Sequence, residues 1–247
     1  MTTREATSYL PRIATPDLLR VKGRLSRRLA VLAFGALQWP WLLRSLDGGT
    51  QAQKQALLAR LDLPGDALPH LGSWKADTGL LTLLVDHILA ERPRLIVEFG
   101  MGASTLVLAR ALQLAGGGRL ISFDQHADFV AATRDWLAEH GLGGELHAVT
   151  LRPAEGWPGL WYDHGPLPDD VDLMLVDGPP WAVHPLTRGA AATLFDRIAP
   201  GGTVMLDDGA RPGERLVARR WRRLHGEFNF TLLKSGTKGT LVGRKAG

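Results

Sequence analysis

Cysteine is absent from the 247-residue chain. Disulfides and thiolate metal sites are therefore excluded, and a reducing, cytoplasmic setting is the expectation. Aromatic residues are sparse at 7%, and only two of them are tyrosines. The one aromatic within the basic segments, Trp221, is expected on an inner helix face with Val217 and Leu224, so nucleic acid is not an expected partner. Excess charge of one sign is also scarce: the formal net charge is +4. The arginines are local. Arg24, Arg27 and Arg28 form one group, and Arg211, Arg215, Arg219, Arg220, Arg222 and Arg223 another. Solvated helix faces account for both groups. Long apolar runs are missing as well. The strongest, within Arg27 to Arg44, is about 15 residues against the roughly 20 that a spanning helix needs, and Pro40 interrupts it. It starts too far from Met1 for a simple signal peptide. A helix packed on the domain or on a second copy is one reading. A helix lying at the inner membrane face is the other. The expected contact region is residues 16–46.

What is present is ordinary material for a buried core, with 45% hydrophobic and 22% charged residues. The length suits one α/β domain with an extension. Residues 1–72 read as a helical N-terminal extension. Thr15-Pro16 is a helix-start signal, a helix follows from Thr50, and "DGG" at 47–49 and "LPGDALPHLG" at 63–72 are breaks. Residues 73–247 alternate between strand and helix. "TGLLTLLVDHIL" sets Leu80, Leu81, Leu84, Val85 and Ile88 on one helical face. Strands are expected at 94–100, 119–124, 145–151, 171–177 and 202–208. Helices are expected from Ala103, from Ala127 to His140, from Leu186 with Ile198 on its buried face, and along the arginine-rich segment. A hairpin at 228–233 and 239–244 ends the chain. That order implies a doubly wound, mostly parallel sheet covered on both faces. Ligands of such sheets lie beyond the carboxyl ends of the strands.

Carboxylates stand at those ends. Glu98 lies within the first strand, and Gly100 and Gly102 follow it, where the backbone can turn tightly and approach a ligand. A dinucleotide fingerprint wants a third glycine where this chain has Thr105. Asp124 ends the second strand, about 20 residues further on, where an acid can accept both hydroxyls of a ribose; a helix N-cap is its plainer role. Together these residues suit a nucleoside with a cationic rather than a phosphate group.

"IVEFGMGASTLVLA" with "LISFD" resembles the cofactor site of class I S-adenosylmethionine-dependent methyltransferases. The resemblance runs on through "VDLMLVDGPPW", "LFDRIAPGGTVMLDDGARPGE" and the final hairpin, over about residues 73–244. "WYD", "DGPP" and the "DD" pair before Arg211 are similar to a bacterial branch of methyltransferase-domain proteins. The resemblance implies strand order 3-2-1-4-5-7-6 with the last strand antiparallel. It implies that Glu98, Gly100, Gly102 and Ser104 line the methionine side, that Asp124 holds the ribose, and that Ala154 with Glu155 borders the adenine. Asp177 would also face the cofactor.

Strand four ends in Asp177 and strand five in Asp207-Asp208. In the implied order these strands are neighbours, roughly 4.8 Å apart, so the three carboxylates converge. They would repel unless a cation or protons intervene. Hard oxygen donors suit Mg²⁺, Mn²⁺ or Ca²⁺, and several O-methyltransferases similar to this chain hold a divalent ion at such a set. There the metal lowers the pKa of an acceptor hydroxyl. Asp177 and Asp207 binding cofactor amine or substrate without metal is the alternative. Catechol-type enzymes carry a lysine three residues after the first aspartate; Pro180 stands here. His184 is the candidate base in its place. Tyr162, Asp163, Trp181 and Arg211 are candidate substrate contacts, with Trp157 and Trp161 also in loops at the expected mouth. Arg211 would orient the carboxylates or meet an anionic acceptor.

The expected function is S-adenosylmethionine-dependent O-methylation of a small-molecule or sugar- or glycan-linked hydroxyl, with divalent-metal assistance. The alternatives are a nicotinamide-dependent oxidoreductase, against which Glu98 and Thr105 speak, and a non-catalytic scaffold that binds through its basic helix.

Overall fold

Short runs that are apolar on both faces cannot stay at a surface, and here they form the centre of one sheet. A computed structural model describes residues 25–247; the helix start at Thr15-Pro16 and Arg24 lie outside the described residues. Strands β1 (Leu95–Phe99), β2 (Arg119–Asp124), β3 (Glu145–Ala148), β6 (Val171–Val176) and β7 (Ile198–Leu206) run parallel. The hairpin of β8 (Phe228–Leu233) and β9 (Thr240–Lys245) adds antiparallel strands at one edge. The order is β3-β2-β1-β6-β7-β9-β8. Numbered by the seven strands of this sheet alone, it is the expected 3-2-1-4-5-7-6, with β9 inserted antiparallel between β7 and β8.

Helices α3 (Thr78–Glu91), α4 (Ala103–Leu114) and α5 (Ala127–Glu139) cover one face. Leu80, Leu81, Leu84, Val85 and Ile88 are all buried, as the helical spacing requires. The same core takes in Leu57 and Leu58 of α2 (Gln51–Arg60) together with Leu61, Leu68 and Leu71. The other face is closed by α6 (Pro212–Leu224), whose Val217 and Trp221 are buried against Phe195, Phe228 and Phe230. Trp221 is the buried anchor of an otherwise basic helix, and its indole N–H donates to the Gly189 carbonyl at 3.0 Å.

Three local expectations are corrected. The third strand stops at Ala148 instead of reaching Leu151, because β4 (Leu151–Pro153) turns away and pairs antiparallel with β5 (Leu160–Tyr162). Trp161 therefore lies in a strand and is buried, packed on Phe99 with ring centroids 4.9 Å apart. The α-helix expected from Leu186 is a 3-10 segment, Thr187–Arg197, and Ile198 opens β7. Tertiary partners hold that segment from both sides: the Thr187 hydroxyl donates to the Leu160 carbonyl, and Trp221 to Gly189.

Helix α1 (Leu25–Arg44) includes Pro40 and packs against α6. Gln38 is buried on that side, while Leu29, Leu32, Leu37, Trp39, Leu43 and the following Leu46 are exposed. Among the described residues no helix is long and apolar enough to cross a membrane.

Candidate active site

The carboxyl ends of β1, β2 and β6 open into a cleft of about 520 Å³, its mouth included. Gly100, Met101, Asp124, Gln125, His126, Tyr162, Asp177, Gly178, Pro180 and Arg188 line it, with Trp74 from the N-terminal side. Gly100 is a glycine for two physical reasons. Its φ is +93°, and a Cβ there would stand 2.5 Å from the Gly178 nitrogen. Only a bare backbone lets the ends of β1 and β6 come this close.

Glu98 is fully buried beneath the turn and does not line the cleft. Three hydroxyls donate to it: Ser104 at 2.6 Å, Ser122 at 2.7 Å and Thr105 at 2.8 Å. Thr105 in turn accepts the Gly102 N–H at 2.9 Å. The residue that departs from the dinucleotide pattern is thus the link between the buried acid and the glycine turn. Burial raises the Glu98 pKa to about 7 against the pull of the three hydroxyls. Ser104, expected at the methionine side, spends its hydroxyl on Glu98.

Asp124 sits at the cleft wall. One oxygen accepts the Met101 N–H at 3.3 Å, the other the His126 N–H at 2.9 Å. Burial raises its pKa, opposed by His126, whose ring nitrogen lies 3.8 Å away. Gln125 and His126, which strand-end reasoning missed, stand beside it. The Gln125 side-chain oxygen, both His126 ring nitrogens and the Tyr162 hydroxyl are buried without a hydrogen-bond partner. Unsatisfied buried polar atoms are rare and call for a ligand or water. Four of them around one cleft, next to the carboxylate of Asp124, can hold a polar ligand of the nucleoside kind.

The second group of acids is a cage. Ligand atoms of Asp177, Asp207 and Asp208 lie within 4.8 Å of one another, as adjacent β6 and β7 demand. Cations of the chain stand among them. Arg188 Nη1 is 2.9 Å from Asp208 Oδ2, and Nη2 is 3.2 Å from Asp177 Oδ1. Arg211 Nη2 is 2.8 Å from Asp208 Oδ2 and 2.7 Å from Glu214 Oε1. Lys238 Nζ lies 3.8 Å from Asp207 and 3.9 Å from Asp208. Its backbone is fixed by buried Asp77, which accepts the N–H groups of Thr237 and Lys238 and that of Leu80 at the start of α3. Burial pushes Asp208 up, but Arg211, Lys238 and Arg188 overcome it and hold the carboxyl below its ordinary range. Burial and the neighbouring Asp208 and Asp177 push Asp207 well up. Neither Asp207 oxygen accepts a hydrogen bond.

Other expected residues lie apart from the cleft. His184 Nδ1 accepts the Leu186 N–H at 3.1 Å and shapes the turn before the 3-10 segment. Asp163 pairs with Arg152 at 3.3 Å on the surface. Ala154 is held in the β4–β5 hairpin, its N–H donating to the Gly159 carbonyl. Trp181 packs toward Gly35 of α1, and Trp157 stacks under Arg220 with 4.0 Å between guanidinium and ring. Arg211 faces the acids rather than the cleft. Arg188 and Trp74 went unnoticed in the sequence. An arginine within the apolar "GAAATLF" surroundings was the available signal for the first; nothing in the sequence marked the second.

Residues 97–209 match a family model described as a methyltransferase domain. The fold is similar to that of an O-methyltransferase from Streptomyces achromogenes solved with S-adenosylmethionine, with a TM-score of 0.53 and 17% identity, covering 87% of this chain and 98% of that one. An O-methyltransferase from Bacillus cereus solved with S-adenosylhomocysteine has a TM-score of 0.53 and 15% identity, over 87% of this chain and 99% of that one. A methyltransferase from Geobacter sulfurreducens has a TM-score of 0.53 and 19% identity, over 79% and 88%. At these identities the structures speak for the fold, and the family match speaks for the domain. The strand order, the cleft and this match make residues 97–209 similar to a methyltransferase domain of the class I fold.

Proposed function

We propose that this enzyme methylates an oxygen of a small-molecule acceptor, sugar and glycan-linked hydroxyls included. The observation that carries the proposal is the shared cleft: Asp124 with its unpartnered polar neighbours stands at one end and Asp177 at the other. The O-methyltransferases that share the fold lend it support.

When bound, S-adenosylmethionine supplies an electrophilic methyl group on a positively charged sulfur. Asp124 holds ribose hydroxyls, its position set by the backbone of Met101 and His126. Glu98 acts as a positioning residue: its three hydroxyl partners tie β1, β2 and α4 together below the cofactor turn. Asp177 reaches the cleft and accepts a hydrogen bond from the acceptor hydroxyl, drawing off its proton as the oxygen attacks. Trp74, Met101 and Tyr162 wall the cleft and exclude water. Transfer asks mainly for alignment of oxygen, methyl carbon and sulfur, which such a wall supplies. His184 Nδ1 is engaged by the turn at Leu186, apart from the residues that line the cleft.

Calorimetric titration with S-adenosylhomocysteine tests the cofactor half. Saturable binding that Asp124→Ala weakens is the expected result; absence of binding at high-micromolar ligand overturns it. Methyl incorporation into a panel of hydroxylated acceptors, lost in Asp177→Ala, tests the acceptor half.

A further inference from the structure

The acid cage poses a question that the strand ends alone do not: what neutralises it. Four buried or nearly buried carboxylates, Asp177, Asp207, Asp208 and Glu214, face three cations of the same chain, Arg188, Arg211 and Lys238. Counted as fully ionised they stand one charge from balance, and a proton on Asp207, whose pKa is pushed well up, closes that gap. A divalent ion would overshoot, and it would have to enter between Arg188 and the carboxylates that Arg188 already bridges. Arg188 has little freedom to leave. Its side chain is 7% exposed. Its Nε donates to the Pro179 carbonyl at 3.2 Å and Nη1 to the Asp207 carbonyl at 3.3 Å, besides the two carboxylate bonds. Displacing it would leave a buried guanidinium and two carboxylates without their counter-charges.

We propose that Arg188 is the cation of the acceptor side, standing at the joint end of β6 and β7 where the resemblance to metal-dependent O-methyltransferases of this fold would put a divalent ion, and that this enzyme uses no metal there. The proposal rests on the O-methyltransferase reading above. A guanidinium carries five N–H donors, and four acceptors take up Arg188: Pro179 O, Asp207 O, Asp208 Oδ2 and Asp177 Oδ1. The fifth donor, on Nη2 beside Asp177, belongs to a residue that lines the cleft. A donor and a carboxylate side by side match a hydroxyl, which gives one hydrogen bond and takes one. Arg188 thus orients the acceptor oxygen and stabilises negative charge as it develops, the electrostatic part of what a metal would do. Its position is built into the fold, since the flanking Thr187 and Gly189 are held by Leu160 and Trp221.

The test needs no substrate. The apo chain is titrated with Mn²⁺, followed by water-proton relaxation and by thermal melting. The wild type is expected to show no saturable binding up to about 1 mM, the range of weak oxygen-ligand sites, and an unshifted melting temperature. Arg188→Met leaves the carboxylates short of a cation and is expected to gain a saturable Mn²⁺ site and a melting temperature that Mn²⁺ raises. Saturable binding to the wild type that Asp177→Asn removes overturns the proposal, and so does an Arg188→Met protein that folds yet takes up no Mn²⁺. If Arg188→Met does not fold, the wild-type titration decides alone. Calorimetry with S-adenosylhomocysteine on the same sample reports separately on the cofactor reading, so failure of one is not mistaken for failure of the other.

Discussion

The two ends of the cleft bury acids by opposite means. At the ends of β1 and β2, Glu98 and Asp124 meet only neutral donors at hydrogen-bond distance: three hydroxyls for Glu98, backbone N–H groups for Asp124. At the ends of β6 and β7, Asp177 and Asp208 meet guanidinium groups, with an ammonium close by. Dipoles soften the cost of burying a carboxylate but leave it free to take up a proton; fixed cations hold Asp208 below its ordinary range, while Asp207 beside it, without a hydrogen bond, is pushed well up. The end at β1 and β2 is accordingly tunable, and under the proposed function suits a ligand that is itself positively charged. At the end at β6 and β7 the chain's own cations stand where the acids converge.

The hardest blow to this contrast is Asp208→Ala. It strips Arg188 and Arg211 of a shared buried partner, and removing one member of a buried ion pair costs about 3–5 kcal/mol. A melting or urea-unfolding series should show that loss, with Asp208→Asn in between. Should Asp208→Ala melt like the wild type, the cage is not what holds the β6 and β7 ends together.

Glu98 sharpens the contrast from the other side. Its folded pKa of about 7 lies above the ordinary value of 4.5. The folded state therefore binds the proton more tightly than the unfolded state. The stability it contributes is full below the ordinary value and is lost as pH rises toward 7, on the order of 3 kcal/mol in all. Urea unfolding at intervals from pH 5 to 8 should show this slope in the wild type and lose it in Glu98→Gln. Equal slopes in the two proteins would mean that Glu98 is ionised throughout.

A smaller effect is expected at Asp124. Hydrogen bonds to a charged group are worth about 1.5–3 kcal/mol, so Asp124→Ala should weaken S-adenosylhomocysteine binding by roughly 10- to 150-fold in calorimetry. The smallest lies outside both ends. Arg60 and Asp86 pair at 2.7 Å with both side chains largely exposed. Arg60→Ala should cost under about 1 kcal/mol and leave cofactor affinity unchanged. A large loss there would show that the surface, not the strand ends, carries the charge sensitivity.

Much of the frame was legible from periodicity. Continuous apolar runs marked β1, β2, β6 and β7, because strands covered on both faces cannot alternate in polarity. The acids after them were legible as strand-end residues, and the convergence of Asp177 with Asp207 and Asp208 follows from neighbouring strands. The β4–β5 hairpin was not legible. Leu151–Pro153 pairs with Leu160–Tyr162 across a loop rich in glycine and proline, and nothing local distinguishes that pairing from a continued third strand. The 3-10 segment was hidden for a related reason. Its sequence has helical spacing, and contacts at Leu160 and Trp221 decide its form.

Sequence alone determined the class of fold, the order of the strand-end acids and the kinship with methyltransferases. Each depends on local pattern, which neighbours in the chain express by themselves. Tertiary structure decided the charge of the site. The convergence of Asp177, Asp207 and Asp208 was readable, but the arrival among them of Arg188 from 11 residues away, Lys238 from the far hairpin and Arg211 from before the next helix was not. Whether a carboxylate waits for an ion or already has one depends on distances of about 3 Å between segments remote in the chain, and only the packed fold sets those distances.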